Sequence, residues 1–254
     1  MTDVHHLRCG TIEAPGGAKA ICHCLLLEDD RGLALVDAGI GLEDVRSPDA
    51  RLGRGLVEAV GFRFDEAETA VRRVERLGLA PAAVAHVVLT HADPDHTGGL
   101  ADFPDASVFL SVEERAALDS GNPRYVPTHF DHGPRWEPIL PSSRRWFGLE
   151  ARPVPLGFAS EVLLIPLFGH TRGHCGVAIG REGEGWTLHV GDAYYLRVET
   201  ERDDHPVSRL AAMRADDDAR RRASLEEVRR LLRDHRDEIS LFGYHDPDEF
   251  PPQA

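Results

Sequence analysis

Thr90-His91-Ala92-Asp93-Pro94-Asp95-His96-Thr97-Gly98-Gly99 is the stretch on which the reading of this chain turns. Four imidazole or carboxylate side chains, His91, Asp93, Asp95 and His96, fall within six positions. The run before them, Val84 to Thr90, is short, apolar and rich in valine, the pattern of a strand buried on both faces. Polar chemistry therefore begins where a strand ends. Neutral imidazole and carboxylate are both good donors to zinc, manganese or iron. A lone histidine at a strand end is usually solvent-facing or simply hydrogen-bonded, but four candidate ligands at one strand terminus point to a metal site.

Working outward, Ala20 to Gly41 alternates apolar stretches with the charged turn Glu28-Asp29-Asp30-Arg31-Gly32 and predicts a hairpin that ends in Asp37. A helix is predicted from Asp65 to Leu77, with Asp65 and Glu68 as capping box and Gly78 as stop. Downstream, Ser107 to Leu110 reads as a strand, and Ser111 with Glu114 caps a helix to about Asp119. From about residue 120 to 155 regular pattern disappears; Pro123, Pro127, Pro134, Pro138 and Pro141 alternate with Tyr125, Phe130, Trp136, Trp146 and Phe147. Those rings either wall a pocket or pack on the core, and the stretch is taken as a substrate-loop insertion. Strands resume at Val162 to Leu167, Val177 to Ile179 and Trp186 to Val190. Ser224 with Glu227 opens a helix to about Asp237, whose arginines read as a solvated face. A last strand, Ile239 to Phe242, leads into Gly243-Tyr244-His245.

With 254 residues and no evident linker, the chain is expected to form one α/β domain over residues 1–254. Its net charge of −14 argues against a nucleic-acid partner, because a basic patch would have to work against the field of the whole protein. No apolar run approaches a membrane span, and MTDVHHLRCG lacks the basic and apolar regions of a signal peptide, so a cytoplasmic protein with no membrane partner is expected. The four cysteines form no CxxC pair and are expected as buried thiols, with sulfur ligation from Cys175 the less favoured alternative.

The cluster resembles the HxHxDH signature of the metallo-β-lactamase superfamily, and the resemblance spans nearly the whole chain. His91, Asp95 and His96 fall on the motif, with Asp93 where the second histidine would stand. His170, in Gly169-His170-Thr171, Asp192, in Gly191-Asp192-Ala193, and His245 match its distant ligands, each just past a predicted strand. The resemblance implies a four-layer αββα sandwich and two divalent metal ions, zinc by family, with manganese or iron as alternatives if Asp93 makes the site harder. It places His91, Asp93 and His170 on one ion, Asp95, His96 and His245 on the other, and Asp192 between them. Asp37 and His174 would orient ligands from behind.

What the resemblance implies chemically is a hydrolase in which two cations about 3.5–4 Å apart supply hydroxide near neutral pH. Asp95 would carry the proton to a leaving alkoxide, or serve only as ligand. Asp192-Ala193-Tyr194-Tyr195 looks like the N-acyl-homoserine lactonase branch, where the phenol at the Tyr195 position helps stabilise the substrate carbonyl; packing at a pocket rim is the plainer role. The expected substrate is a small uncharged ester or lactone, for a monomer or homodimer. Thioesterase, β-lactamase and phosphodiesterase activities use the same hydroxide. Iron-dependent redox chemistry and a non-catalytic binding module are the rivals from other classes.

Overall fold

In the computed structural model, which describes residues 2–14, 17–181 and 183–252, strands with apolar side chains on both faces are covered on both sides. The first half runs β1 (Asp3–Glu13), β2 (Lys19–Asp29), β3 (Gly32–Val36), α1 (Leu42–Arg46), α2 (Pro48–Arg51), α3 (Arg54–Val60), β4 (Phe62–Arg63), α4 (Ala70–Arg76), β5 (Val84–Val88), α5 (Pro94–Thr97), β6 (Ser107–Ser111) and α6 (Val112–Asp119). The second half runs β7 (Arg135–Ile139), β8 (Arg145–Trp146), β9 (Leu149–Glu150), β10 (Arg152–Pro153), β11 (Val162–Pro166), β12 (Cys175–Arg181), β13 (Gly185–His189), α7 (Pro206–Arg214), α8 (Asp218–Asp234) and β14 (Ile239–Phe242). One sheet has the order β4-β1-β2-β3-β5-β6-β7, the other β10-β11-β12-β13-β14.

Side-chain alternation builds the layers. In β2, Leu25 and Leu27 join Val162, Leu164, Val177 and Ile179 of the second sheet in one core. Cys22, Cys24 and Leu26, on the opposite face of β2, pack with Val71 and Val74 of α4 and with residues of α1 and α3. In β11, Leu163 and Ile165 turn away from the first sheet and bury against Leu225, Val228 and Leu231 of α8. The result is an αββα sandwich. Both sheets contain parallel pairs, β3 with β5 and β13 with β14. Asp37, the 91–96 loop, Asp192 and His245 follow the carboxyl ends of these four strands, which is where parallel strands in open sheets expose their connecting loops to ligands.

The predicted hairpin is β2–β3, and Ser111 caps α6 by accepting from the Glu114 amide at 3.1 Å. Three expectations change. The Asp65–Leu77 helix is a short 3-10 turn, Glu66–Glu68, capped by Asp65, followed by α4 with Thr69 at its N-cap; Glu68 turns instead to Thr11 and Arg8 of β1. The last long helix starts at Asp218, six residues before Ser224, where the N-cap Asp217 accepts from the Arg220 amide. The hydroxyl of Ser224 donates to the Phe168 carbonyl, and Arg221 is buried against Asp218, so the arginine-rich face is only partly solvated.

The stretch from 120 to 155 is more ordered than its prolines suggest. β7 extends the first sheet, and its Pro138 is tolerated because β7 is the edge strand. The rings mostly pack on the core: Phe130 against Trp136, and Trp146 against Phe147 and Trp186. All four cysteines are buried, free thiols, and Cys175 contacts the Gly173 carbonyl rather than the ligand cluster.

Candidate metal centre

Asp37 leaves β3 in a left-handed conformation, φ 57°, a region aspartate tolerates better than most side chains. Its carboxylate is held by the Thr90 amide on Oδ1 and the Thr90 hydroxyl on Oδ2, each at 2.8 Å. Oδ2 also accepts from Nδ1 of His96 at 2.9 Å, which turns the His96 Nε2 lone pair inward. Nδ1 of His91 lies 3.0 Å from the same Thr90 hydroxyl, and Nδ1 of His245 lies 3.0 Å from the Ile21 carbonyl, so these rings too present Nε2 to the centre. Glycine is required beside the motif, because a Cβ at Gly99 would run into the Ala38 carbonyl.

The ligand atoms form two groups, His91, His170 and Asp192, and Asp95, His96 and His245, each with its atoms within 4.8 Å of one another. Asp192 reaches both. Oδ1 stands 3.4 Å from His96 Nε2, and Oδ2 stands 3.2 Å from His245 Nε2 and 3.4 Å from His170 Nε2. Asp95 Oδ2 is 3.5 Å from His245 Nε2. Among the described residues, His91 Nε2, His96 Nε2 and Asp192 Oδ1 are buried with no hydrogen-bond partner, a costly arrangement unless something else binds them. Imidazole nitrogens and carboxylate oxygens left open and converging in this way fit divalent ions.

Asp93 departs from this pattern. Its Oδ2 is 3.2 Å from His170 Nε2 and 3.5 Å from His91 Nε2, yet both its oxygens are gripped by Arg124, Nε to Oδ1 at 2.5 Å and Nη2 to Oδ2 at 2.6 Å. Burial alone would raise its pKa; Arg124, with His170 and His91, holds it well below the usual carboxylate range. Burial likewise opposes ionisation of Asp192, but His245, His96 and His170 more than offset it. His96 is pushed well above its ordinary value because Asp37, Asp192 and Asp95 outweigh its burial. His91, where burial and the neighbouring His96 dominate, is held well below. The carboxylates that draw positive charge onto His96 give the electrostatics of a cation-seeking site.

His174 does not face the cluster through a free nitrogen. Its Nδ1 donates to the Leu167 carbonyl at 2.8 Å and its Nε2 accepts from the Asp192 amide at 2.9 Å, so it fixes the backbone that carries Asp192. The Tyr195 ring stands edge-on to His170 and to His245, with centroids 5.8 and 5.2 Å away. Burial and the nearby Asp192 and Asp93 push its phenol well above the usual range, so the hydroxyl keeps its proton.

Three contributors are invisible to motif reading. Arg124 lies in the stretch taken as an insertion. Glu114, seen only as part of a helix cap, is buried and accepts from the Ala92 amide, the Tyr125 and Thr171 hydroxyls and the Gly173 amide, tying three site segments together. Tyr244 stacks on His96, with centroids 3.8 Å apart, and donates to the Asp95 carbonyl at 2.6 Å. Only its position beside His245 hinted at a role.

An αββα sandwich with histidines and aspartates converging past its parallel strands defines a metal-dependent hydrolase. The chain belongs to the metallo-β-lactamase superfamily, whose family model matches residues 18–243. It is 40% identical over 252 residues to a probable metallo-hydrolase of Mycobacterium tuberculosis, an alignment covering 96% of this chain and 77% of that one. It is 26% identical over 181 residues to an N-acyl homoserine lactonase of a Bacillus species, covering 71% of this chain and 66% of that one. Its fold matches a solved N-acyl homoserine lactone hydrolase holding the product N-hexanoyl-L-homoserine at its catalytic metal centre. There the TM-score is 0.74 at 20% identity, over 97% of this chain and 94% of that one. Among the described residues, no helix is long and apolar enough to cross a membrane.

Proposed function

We propose that this hydrolase opens a lactone or ester, with N-acyl-homoserine lactones as the leading substrate class. The observation that carries the reading is the pair of ligand groups sharing Asp192. His91, His170 and Asp93 would hold one divalent ion and Asp95, His96 and His245 the other. Zinc is the ion proposed, since imidazole supplies four of the side chains and the charge of Asp93 is balanced by Arg124. Such ions polarise a carbonyl and make water acidic enough to attack near neutral pH.

The chain's own groups divide the remaining work. Tyr195, protonated and set against His170 and His245, would donate to a carbonyl oxygen as charge builds on it. Asp95, the least buried of the cluster carboxylates and 3.5 Å from His245 Nε2, can pass a proton to the departing alkoxide. A cleft of about 600 Å³ lined by Leu56, Val126 and Met213, with Arg124 as the wall it shares with the cluster, gives an acyl chain somewhere to lie.

The test is a panel of N-hexanoyl-homoserine lactone, a simple aryl ester, a thioester, a β-lactam and bis-p-nitrophenyl phosphate. Turnover should be fastest on the lactone. Faster turnover of the phosphodiester or the β-lactam would replace this reading with the corresponding hydrolase.

A further inference from the structure

Among the described residues, one buried guanidinium in the centre has no counterpart on its other side. Arg124, with only 9% of its side chain exposed, forks both oxygens of Asp93 and brings Nη2 within 2.7 Å of His170 Nε2. From behind it is tethered by the Arg214 carbonyl and by Asp216 at 3.6 Å, so it is built into the wall rather than free in solvent. Across the centre, Asp95 has ion-pair contacts only with His96 and His245 among the described residues.

Resting on the metal centre proposed above, we infer that Arg124 is a permanent counter-cation that makes the His91–Asp93–His170 side the weaker and more exchangeable of two unequal metal sites. A guanidinium cannot shed its proton in a protein. Its charge therefore repels a divalent ion at this side at every working pH, at a separation where charges interact strongly. It also claims the electron pairs that an ion would use, on Asp93 Oδ2 and on His170 Nε2. Asp93 and Arg124 together are neutral, as one imidazole would be, so the pair keeps a carboxylate ligand at this position without adding its negative charge to the centre. Asp95, unpaired with any arginine, gives the other side its full charge.

Zinc-loaded protein dialysed against graded chelator, with zinc counted per chain, reads the two sites directly. The wild type should lose its first equivalent at a chelator concentration about tenfold or more below that needed for the second. His245→Ala should keep only the easily lost equivalent, and His91→Ala only the resistant one. Arg124→Gln should bring the two midpoints together by strengthening the weak site. Arg124→Lys, which retains the charge, should stay two-phased, which separates charge from a general loosening of the loop. Asp93→His alone should weaken the first equivalent further by leaving Arg124 unbalanced, and adding Arg124→Gln should restore it. Two equivalents lost together from wild type, or an Arg124→Gln profile identical to wild type, would overturn the inference while leaving the metal centre standing. Protein that holds no metal would overturn both.

Discussion

At the scale of single residues, the centre is built by atoms that are not ligands. Asp37 accepts three hydrogen bonds, two from Thr90 and one from His96, and so fixes both the strand end and the ring that faces the cluster. Replacing Asp37 by Ala should weaken zinc binding about 10–100-fold, the usual cost of removing the group behind a ligating histidine; a chelator competition that matches wild type would exclude this role. Tyr195→Phe keeps the ring against His170 and His245 and removes only the donor. Turnover of a lactone should fall by about 10²-fold, in the range of a lost oxyanion donor, with zinc content unchanged. Unaltered kcat in steady-state assays would remove Tyr195 from the mechanism.

At the scale of elements, the site depends on loops from distant parts of the chain being pinned to one another. Glu114 does this from the first turn of α6, joining the Ala92, Tyr125 and 171–173 segments. Glu114→Ala strands these buried donors, and stability should drop by at least about 3 kcal/mol, or roughly 10 °C in Tm. A melting curve superimposable on wild type would show that the segments hold without it. These elements also mark how far the sequence could be read. The strand ends were legible because apolar runs stop abruptly at His91, Asp192 and His245, and buried strands have no other place for such side chains. Helix starts were less so: Asp65-x-x-Glu68 and Ser224-x-x-Glu227 have the form of capping boxes, but tertiary partners, Thr11 for Glu68 and the Phe168 carbonyl for Ser224, claimed those side chains instead. β7 was missed because an edge strand accepts proline. Arg124 could not be found at all, since its meaning comes from Asp93, 31 residues away, and no local pattern encodes an ion pair of that span.

At the scale of the whole molecule, burying many histidines couples stability to pH. His23 is held down to about 2 by burial, with His189 and His6 beside it, and His6 to about 4, also mainly by burial. The two share one hydrogen bond at 2.8 Å, and His23 stacks on Phe242. Their folded pKa values lie below the unfolded value of 6.5, so the unfolded chain takes up protons first as pH falls. Stability is complete above about pH 6.5 and declines from there, the His6 contribution ending near pH 4 and the His23 contribution continuing toward pH 2, with His23 alone contributing a loss on the order of 2 kcal/mol by pH 5. Urea unfolding in the presence of chelator, which removes any contribution from metal release, should show the midpoint falling between pH 7 and pH 5; a flat midpoint would mean that these rings are not buried neutral.

The proposed centre requires loops from both sheets to meet around two divalent ions with Asp192 between them. Elemental analysis of the purified protein counts those ions. Two equivalents of divalent metal per chain are predicted for wild type, falling to about one in His170→Ala and in His245→Ala, and to less than one in Asp192→Ala. Metal-free wild type that hydrolyses its substrate at full rate, or variants that keep both equivalents, would contradict it.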